Sequence, residues 1–262
     1  MSEAKSIGDA FGKGRAALMP YFTIGYPDYD TSLKVIEACV EAGADLMELG
    51  MPFSDPLADG PTIQHSTQVA LENGITIKHC LEAVADLRNR DVEIPLVLMG
   101  YINPILAYGL ENFVQDAAKA GASGFIIPDM PPDEAEEMRS LCLNHDLDIV
   151  FLLPPNSSDE RIQLVTELSS GFVYLVSVLG ITGERNALPV ELADFVTRVR
   201  TQTEKPLAVG FGISTPDQAA TVGEIADGVI VGSALIKAVG QADQPVDAAR
   251  KFVAELKSAL RE

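Results

Sequence analysis

Cysteine is scarce in this sequence, and its spacing excludes two kinds of site. The three cysteines, Cys39, Cys80 and Cys142, are far apart in the chain and odd in number. A disulfide framework needs paired cysteines, and a structural metal site needs ligands at short, regular spacings. We therefore interpret all three as thiols in the hydrophobic core of a protein that works in a reducing compartment.

Long apolar runs are also missing. No stretch approaches the roughly 20 apolar residues that a membrane-spanning helix requires. The first segment, MSEAKSIGDAFGKGRAAL, has no apolar core of the kind found in secretory signal peptides. Together with the cysteine pattern, these absences predict a cytoplasmic protein with no membrane partner.

Basic residues are outnumbered two to one. The chain has 19 Lys and Arg against 38 Asp and Glu, which gives a formal net charge of −19. An acidic surface repels nucleic acids and anionic membranes, so we expect neither as a partner. A small anionic substrate stays compatible with this charge, because backbone dipoles can bind it locally.

The sequence does contain a regular alternation of short apolar runs and longer amphipathic segments. It has 262 residues, of which 47% are hydrophobic, so it can bury a large core. Continuous apolar runs indicate strands that are buried on both faces and pair in parallel. The predicted strands are Ala17–Ile24, Leu46–Leu49, Ile94–Met99, Gly124–Ile127, Asp148–Leu153, Phe172–Val176, Pro206–Val209 and Gly228–Val231.

A predicted helix follows each of these strands. After the second strand come two helices, which split near Gly74; the third strand is followed by one helix that ends at Gly121. Eight strand–helix units in about 250 residues match a (β/α)8 TIM barrel. We predict one α/β domain over residues 1–262, with a short extra N-terminal helix. The alternative is an open doubly wound sheet, which would normally carry a glycine-rich turn after strand one, where this chain has GYPDYD.

The chain around the second strand has the strongest functional signal. Glu48 lies inside the apolar run LMEL, and two further acids, Asp55 and Asp59, follow in the loop before Pro61. A carboxylate inside an apolar strand is costly to bury unless it is paired or used in chemistry. Glu48 could simply be hydrogen-bonded to nearby backbone. The two acids beyond the strand's C-terminal end favour a functional role, because barrel active sites lie at that end.

The last two strands end in small residues that are typical of a phosphate site. Gly210 and Gly212 follow strand seven, and Gly232 and Ser233 follow strand eight. Glycine lets backbone approach an anion closely, and a helix starting at Ser233 would direct free N–H groups at it. These glycines could also merely turn the chain. No Lys or Arg stands at these four positions, so we expect backbone dipoles alone to balance the phosphate charge.

Other kinds of catalysis lack suitable residues. The lysines are predicted on helices, at the termini or before strand seven, whereas Schiff-base chemistry needs one at a strand's C-terminal end. The histidines, His65, His79 and His145, fall in helix-like segments and form no metal cluster. We therefore expect no metal, and acid–base catalysis by carboxylates on a small phosphorylated molecule.

Several segments together resemble the tryptophan synthase alpha family. The longest is ELGMPFSDPLADGPTIQ, and MPYFTIGYPD, IIPDMPPDE, GITGERNALP, VGFGIS and VGSALIK follow the family order over nearly the whole chain. The resemblance implies a (β/α)8 barrel that cleaves indole-3-glycerol phosphate to indole and glyceraldehyde 3-phosphate. That reaction is a retro-aldol cleavage without metal, cofactor or Schiff base.

The resemblance also implies roles for individual residues. Glu48 would protonate indole C3 and assist removal of the glycerol hydroxyl proton, and Asp59 would accept the indole N–H. Thr182 would close a lid over Asp59, and loops 52–59 and 177–188 would be mobile. The implied substrate contacts are Tyr21, Tyr101, Tyr174, Thr182, Gly183, Phe211, Gly212, Gly232 and Ser233.

A partner subunit is implied in the same way. Asp55 and Asn103 match family positions that meet a β subunit, which would carry pyridoxal phosphate, in an α2β2 heterotetramer. This chain itself should bind no cofactor. Three alternatives stay open: a stand-alone indole-releasing lyase, another phosphosugar barrel enzyme such as an isomerase, and an inert barrel that only activates a partner.

Overall fold

The computed structural model describes residues 6–177, 190–210 and 212–260, and its strands form one parallel sheet. Neighbouring strands follow the order β5-β4-β3-β2-β1-β9-β8-β7-β6. The strands are β1 Ala17–Thr23, β2 Met47–Gly50, β3 Leu96–Met99, β4 Gly124–Ile126, β5 Asp148–Val150, β6 Leu152–Leu153, β7 Val173–Val176, β8 Leu207–Gly210 and β9 Gly228–Val231.

The two outer strands of that order, β5 and β6, are consecutive in the chain and are separated only by Phe151. They occupy the position of the single predicted strand Asp148–Leu153. Since β5 pairs with β4 and β6 pairs with β7, this stretch joins the two ends of the sheet. The sheet is therefore a nearly closed barrel, and the predicted (β/α)8 TIM-barrel fold is confirmed.

Helices surround the barrel between its strands. They are α1 Tyr29–Glu41, α2 Pro61–Glu72, α3 Ile77–Asn89, α4 Ile102–Tyr108, α5 Leu110–Ala120, α6 Glu136–Asn144, α7 Asp159–Leu168, α8 Val190–Arg200, α9 Pro216–Gly223, α10 Ser233–Gly240 and α11 Pro245–Ala259. Pro61 stands in the first turn of α2, where its missing N–H costs nothing, and α10 begins at Ser233, both as predicted. Within the described ranges no helix is long and apolar enough to cross a membrane.

One helix prediction needs correction. The single helix expected up to Gly121 is two helices, α4 and α5, because Gly109 between them has a φ of 98° that interrupts the helix. The predicted short N-terminal helix is present as a 3-10 helix, Ile7–Ala10. Ile7 is fully buried, and the ring of Phe11 lies 5.9 Å from that of Phe172, the residue before β7.

A buried ion cluster ties the chain termini together at the N-terminal end of the strands. Asp45, which precedes β2, is 4% exposed and accepts hydrogen bonds from Lys257 Nζ at 2.6 Å and Arg15 Nη1 at 2.9 Å. Lys13 Nζ lies 3.0 Å from its other oxygen, and the Leu18 N–H donates at 2.9 Å. This cluster is at the opposite end of the barrel from the predicted active site.

Candidate active site

A cavity of about 280 Å³ opens at the C-terminal ends of the strands. This is the end at which the sequence predicted the active site, and the volume suits a small molecule. The lining residues come from strands, from loops and from two helices. They are Tyr21, Glu48, Asp59, Ile63, Met99, Tyr174, Gly212, Ile213, Ser214, Ile230, Gly232, Ser233, Ala234 and Lys237.

Glu48 is a fully buried acid in the wall of this cavity. It lies in β2, where all four residues are buried, and its Cα is in register with that of Tyr21 in β1. Neither carboxylate oxygen has a hydrogen-bond partner among the described residues, so the backbone-bonded alternative for Glu48 is wrong. Burial raises the pKa of Glu48 to about 8, because the charged form loses its hydration. At neutral pH the side chain therefore holds a proton.

Two tyrosines stand beside Glu48 because two glycines leave room for them. A Cβ on Gly50 would lie 2.1 Å from the Tyr21 Oη, and one on Gly210 would lie 2.2 Å from the Tyr174 Oη. Any larger residue at either glycine would displace the ring. Burial is the main cause that raises the pKa of both tyrosines, so both stay neutral. Both tyrosines line the cavity, and their aromatic rings suit an aromatic substrate.

Asp59 enters the cavity from the loop between β2 and α2. Partial burial raises the pKa of its carboxyl, and the nearby Tyr101 hydroxyl acts in the opposite direction. The Gln64 side chain donates to the Asp59 backbone carbonyl at 2.8 Å, and this fixes the end of the loop on α2. Glu48 and Asp59, which the sequence placed 11 positions apart, thus line one cavity.

Gly212, Gly232 and Ser233 line one side of the cavity together, where α10 begins. Gly212 has a φ of 86°, a conformation that favours glycine. None of the predicted phosphate-site residues is basic, but Lys237, which the sequence analysis did not consider for this site, also lines the cavity. It lies one helical turn after Ser233, and the motif VGSALIK carries that spacing.

The other predicted residues fall in three groups. Tyr101 is not among the described lining residues; its hydroxyl accepts the Ala58 N–H at 3.0 Å, and its ring lies 5.5 Å from that of Phe53. It therefore supports the loop of Asp59. Asp55 and Asn103 are exposed. Thr182, Gly183 and Phe211 lie outside the described residues, as does the loop predicted over 177–188 apart from Ser177.

Sequence reasoning missed the apolar part of the lining. Met99 at the end of β3 and Ile230 in β9 point inward, and a strand-register argument could have found them. Met99 pairs with Gly50, two residues after Glu48, and Ile230 pairs with Met19, two residues before Tyr21. Residues at steps of two face the same side of a strand. The remaining residues that sequence reasoning did not find are Ile63, Ile213, Ser214, Ala234 and Lys237.

Metal ligands do not gather in the described part of the chain, where no group of three or more His, Cys, Asp or Glu side chains could hold an ion. The three cysteines are buried and free. What the cavity offers is a protonated buried acid, a second carboxylate, two neutral tyrosines and one cation. This set is suited to acid–base chemistry on an aromatic, anionic small molecule.

Comparison with known proteins identifies the family. A family model described as tryptophan synthase alpha chain matches residues 8–261. The tryptophan synthase alpha chain of Dehalococcoides mccartyi is 50% identical over 254 residues, which cover 97% of this chain and 98% of that protein. A Mycobacterium tuberculosis tryptophan synthase structure is 39% identical over 99% of this chain and 100% of the matched chain, with a TM-score of 0.91.

A tryptophan synthase subunit alpha structure from Legionella pneumophila agrees, with 38% identity, a TM-score of 0.87 and coverage of 93% of this chain and 92% of that chain. The match extends over almost the full chain in sequence and in fold. The chain therefore belongs to the tryptophan synthase alpha chain family, and its reaction is that family's cleavage of indole-3-glycerol phosphate to indole and glyceraldehyde 3-phosphate in tryptophan biosynthesis.

Proposed function

We propose that Glu48 is the general acid and base of this cleavage. Indole C3 is a poor leaving carbon, so it must be protonated before the bond to the glycerol carbon can break. Glu48 gives that proton to C3 and assists removal of the proton from the glycerol hydroxyl. The bond between C3 and the glycerol carbon then breaks, and its electrons restore the aromatic indole.

The observation that carries this proposal is the state of the Glu48 carboxyl. It is fully buried, both oxygens lack a partner among the described residues, and its pKa is raised to about 8. An efficient catalytic acid has a pKa near the working pH. A buried acid without a partner also costs stability, and such a cost is usual at functional sites rather than in an ordinary core.

Asp59 is proposed to stabilise the protonated intermediate. Protonation of C3 leaves positive charge on the indole ring nitrogen, and a carboxylate that accepts its N–H lowers the energy of that state. Asp59 suits this role because it lines the same cavity as Glu48 but is only partly buried and is supported by the Tyr101 loop contact. The two acids thus have different environments and different roles.

The phosphate is proposed to lie against Gly212, Gly232 and Ser233. Replacing Ser233 with Asp should raise the KM for indole-3-glycerol phosphate by about 100-fold or more, since placing like charges together costs several kcal/mol. Steady-state indole formation measures this. Ser233→Asn is the matched control, because it has nearly the same shape without the charge and should change KM far less.

Gly212→Asp should act in the same direction, but the φ of 86° strains any side chain there. Gly212→Ala carries the same backbone strain without a charge. The difference in KM between the two variants therefore measures the repulsion between the introduced carboxylate and the substrate phosphate. An unchanged KM in both aspartate variants would place the phosphate elsewhere.

We further infer that a β subunit binds the face that carries the Asp59 loop and α4. Three large apolar side chains are exposed in the described ranges, and two of them lie on this face: Leu57, which is 84% exposed, and Leu106, which is 56% exposed. Asp55 and Asn103 lie on the same face and are also exposed. The Tyr101 contact to Ala58 links this surface to Asp59. We expect an α2β2 heterotetramer in which pyridoxal phosphate belongs to the partner and this chain holds no cofactor.

Indole release from indole-3-glycerol phosphate, measured with and without a β subunit, tests both the activity and this partner. The partner should raise the rate by shifting the Asp59 loop towards its closed form, with a coupling of about 1–3 kcal/mol. Asp55→Ala should lose much of that activation and keep the slow basal activity. Equal fold-activation in wild type and variant would show that the loop does not transmit the signal.

A cytoplasmic location is proposed as well. Cys39, Cys80 and Cys142 are buried free thiols, as expected for a chain that is kept reduced. A stand-alone lyase would show the same cavity, so the fold-activation by a β subunit also separates that alternative from the assembly.

A further inference from the structure

Lys237 is the one basic side chain among the described residues that line the active-site cavity. It lies on α10, one turn beyond Ser233, and it is exposed. Helical side chains tilt towards the helix N-terminus, so the Lys237 stem leads towards the start of α10. Its positive charge therefore stands on the side of the cavity that Gly232 and Ser233 form.

The ammonium group of Lys237 is not engaged by a carboxylate in the described part of the chain, where no ion pair involves it. Most other lysines there have partners. Lys257 and Lys13 pair with Asp45, Lys119 pairs with Asp116, and Lys205 donates to the backbone carbonyls of Thr166 and Ser169. A free cation beside a cavity, in a chain of net charge −19, is available to bind an anion.

A phosphate bound in this cavity needs more positive charge than the start of α10 supplies. The N–H groups at a helix start supply only about half a unit of positive charge, whereas a phosphate monoester carries nearly two negative charges at neutral pH. Asp59 adds a second acid to the same cavity. Backbone dipoles alone therefore leave the phosphate incompletely balanced, and Lys237 is placed to supply the missing charge.

Lys237 also stands between two cavities. A second cavity of about 360 Å³ lies between α2 and α10, and Lys237 lines it as well as the inner cavity. Tyr26, Pro61, His65 and Gly240 are among its other lining residues. The Lys237 side chain is therefore accessible from both cavities.

We infer that Lys237 is a phosphate-binding residue that makes the site specific for the phosphorylated substrate. Its ammonium group holds the phosphate at the start of α10, as a mobile point charge added to the fixed backbone donors. The inference rests on the phosphate position given under the proposed function, and it adds a charged side chain to a site otherwise made of backbone and one hydroxyl.

Replacing Lys237 with Met tests this, because methionine keeps the apolar stem and removes the charge. We expect the KM for indole-3-glycerol phosphate and the Kd for inorganic phosphate, measured by calorimetry, each to rise about tenfold, as for loss of one charge-assisted hydrogen bond. The kcat should change less than about twofold. Added salt should weaken phosphate binding to the wild type more than to the variant.

Two further variants separate the local effect from general ones. Lys237→Arg should keep most of the affinity. Lys251→Met removes the same charge from a side chain that is 79% exposed on α11, and it should leave both constants unchanged. An unchanged phosphate Kd in Lys237→Met, beside an active wild type, would overturn the inference and leave the lyase activity standing. A wild type without lyase activity would overturn the proposed function, while the phosphate titration would still decide the role of Lys237.

Discussion

Replacing Glu48 with Gln is expected to lower kcat by about 10²–10⁴-fold or more, the usual loss when a general acid is removed and greater if one residue makes both proton transfers. Glutamine has nearly the same shape but cannot give a proton to indole C3. Phosphate binding should be unchanged, because Gly212, Gly232 and Ser233 are left intact. Single-turnover indole formation and a phosphate titration on the same preparation measure the two properties.

The pH dependence gives a second readout of the same group. Only the protonated form of Glu48 can act as the acid, so kcat/KM of the wild type should fall as pH rises through about 8. The residual kcat/KM of Glu48→Gln should not show this fall at high pH. Turnover by a folded Glu48→Gln protein at close to the wild-type rate would rule out the proposed role.

The stability of the same variant shows whether a loss of activity is local. The folded pKa of Glu48 is raised from 4.5 to about 8, so between these values the folded chain binds the extra proton. Its stability should therefore fall as pH rises from about 4.5 to about 8, and this slope should be absent in Glu48→Gln. The variant should be at least as stable as the wild type at pH 8, which thermal unfolding can measure.

Replacing Asp45 with Asn is expected to destabilise the fold by about 3–5 kcal/mol, because it leaves the buried Lys257 ammonium without a counter-charge. Lys257 is 5% exposed and lies 2.6 Å from Asp45, and Arg15 adds a second contact. Each kcal/mol lowers the Tm of a domain of this size by roughly 2–4 °C. Thermal unfolding measures the loss.

An exposed pair provides the control for this prediction. Asp133 is 2.9 Å from Arg161, but its side chain is 59% exposed, so Asp133→Asn should cost less than about 1 kcal/mol. The double variant Asp45→Asn, Lys257→Met should be less destabilised than the sum of the single changes, because it removes both charges. Similar losses for Asp45→Asn and Asp133→Asn would show that the cluster contributes little.

Low pH should lower the free energy of unfolding of the wild type, because it protonates Asp45 in the same cluster. Burial opposes the ionisation of Asp45, but the hydrogen bonds from Arg15 and Lys257 outweigh it and hold the pKa of Asp45 well below its usual value of 3.8. A carboxyl with a lowered folded pKa stabilises the fold above its unfolded pKa. This contribution should be constant above about pH 5 and should be lost progressively as the pH falls below 3.8.

The alternation of apolar runs was enough to predict the barrel and nearly all of its strands. Strands that are buried on both faces of a parallel sheet must be continuously apolar. Such a run consists of neighbouring residues, so it can be recognised directly in the sequence. Helix boundaries failed where a single backbone angle decided them, as at Gly109, because the sequence carries the glycine but not its φ. The break at Phe151 is also a matter of tertiary pairing, since it lies where the two ends of the sheet meet.

The sequence by itself was enough to single out Glu48, Asp59 and the late glycines as candidate site residues, because an acid in an apolar strand and glycines after strands are local signals. Only the tertiary structure decided which side chains share the cavity. It brought Met99, Ile230 and Lys237 into the lining and left Tyr101 behind the loop of Asp59. The physical reason is that burial, strand register and the orientation of α10 arise from contacts between segments that are far apart in sequence. The same contacts bury Glu48 and so raise its pKa.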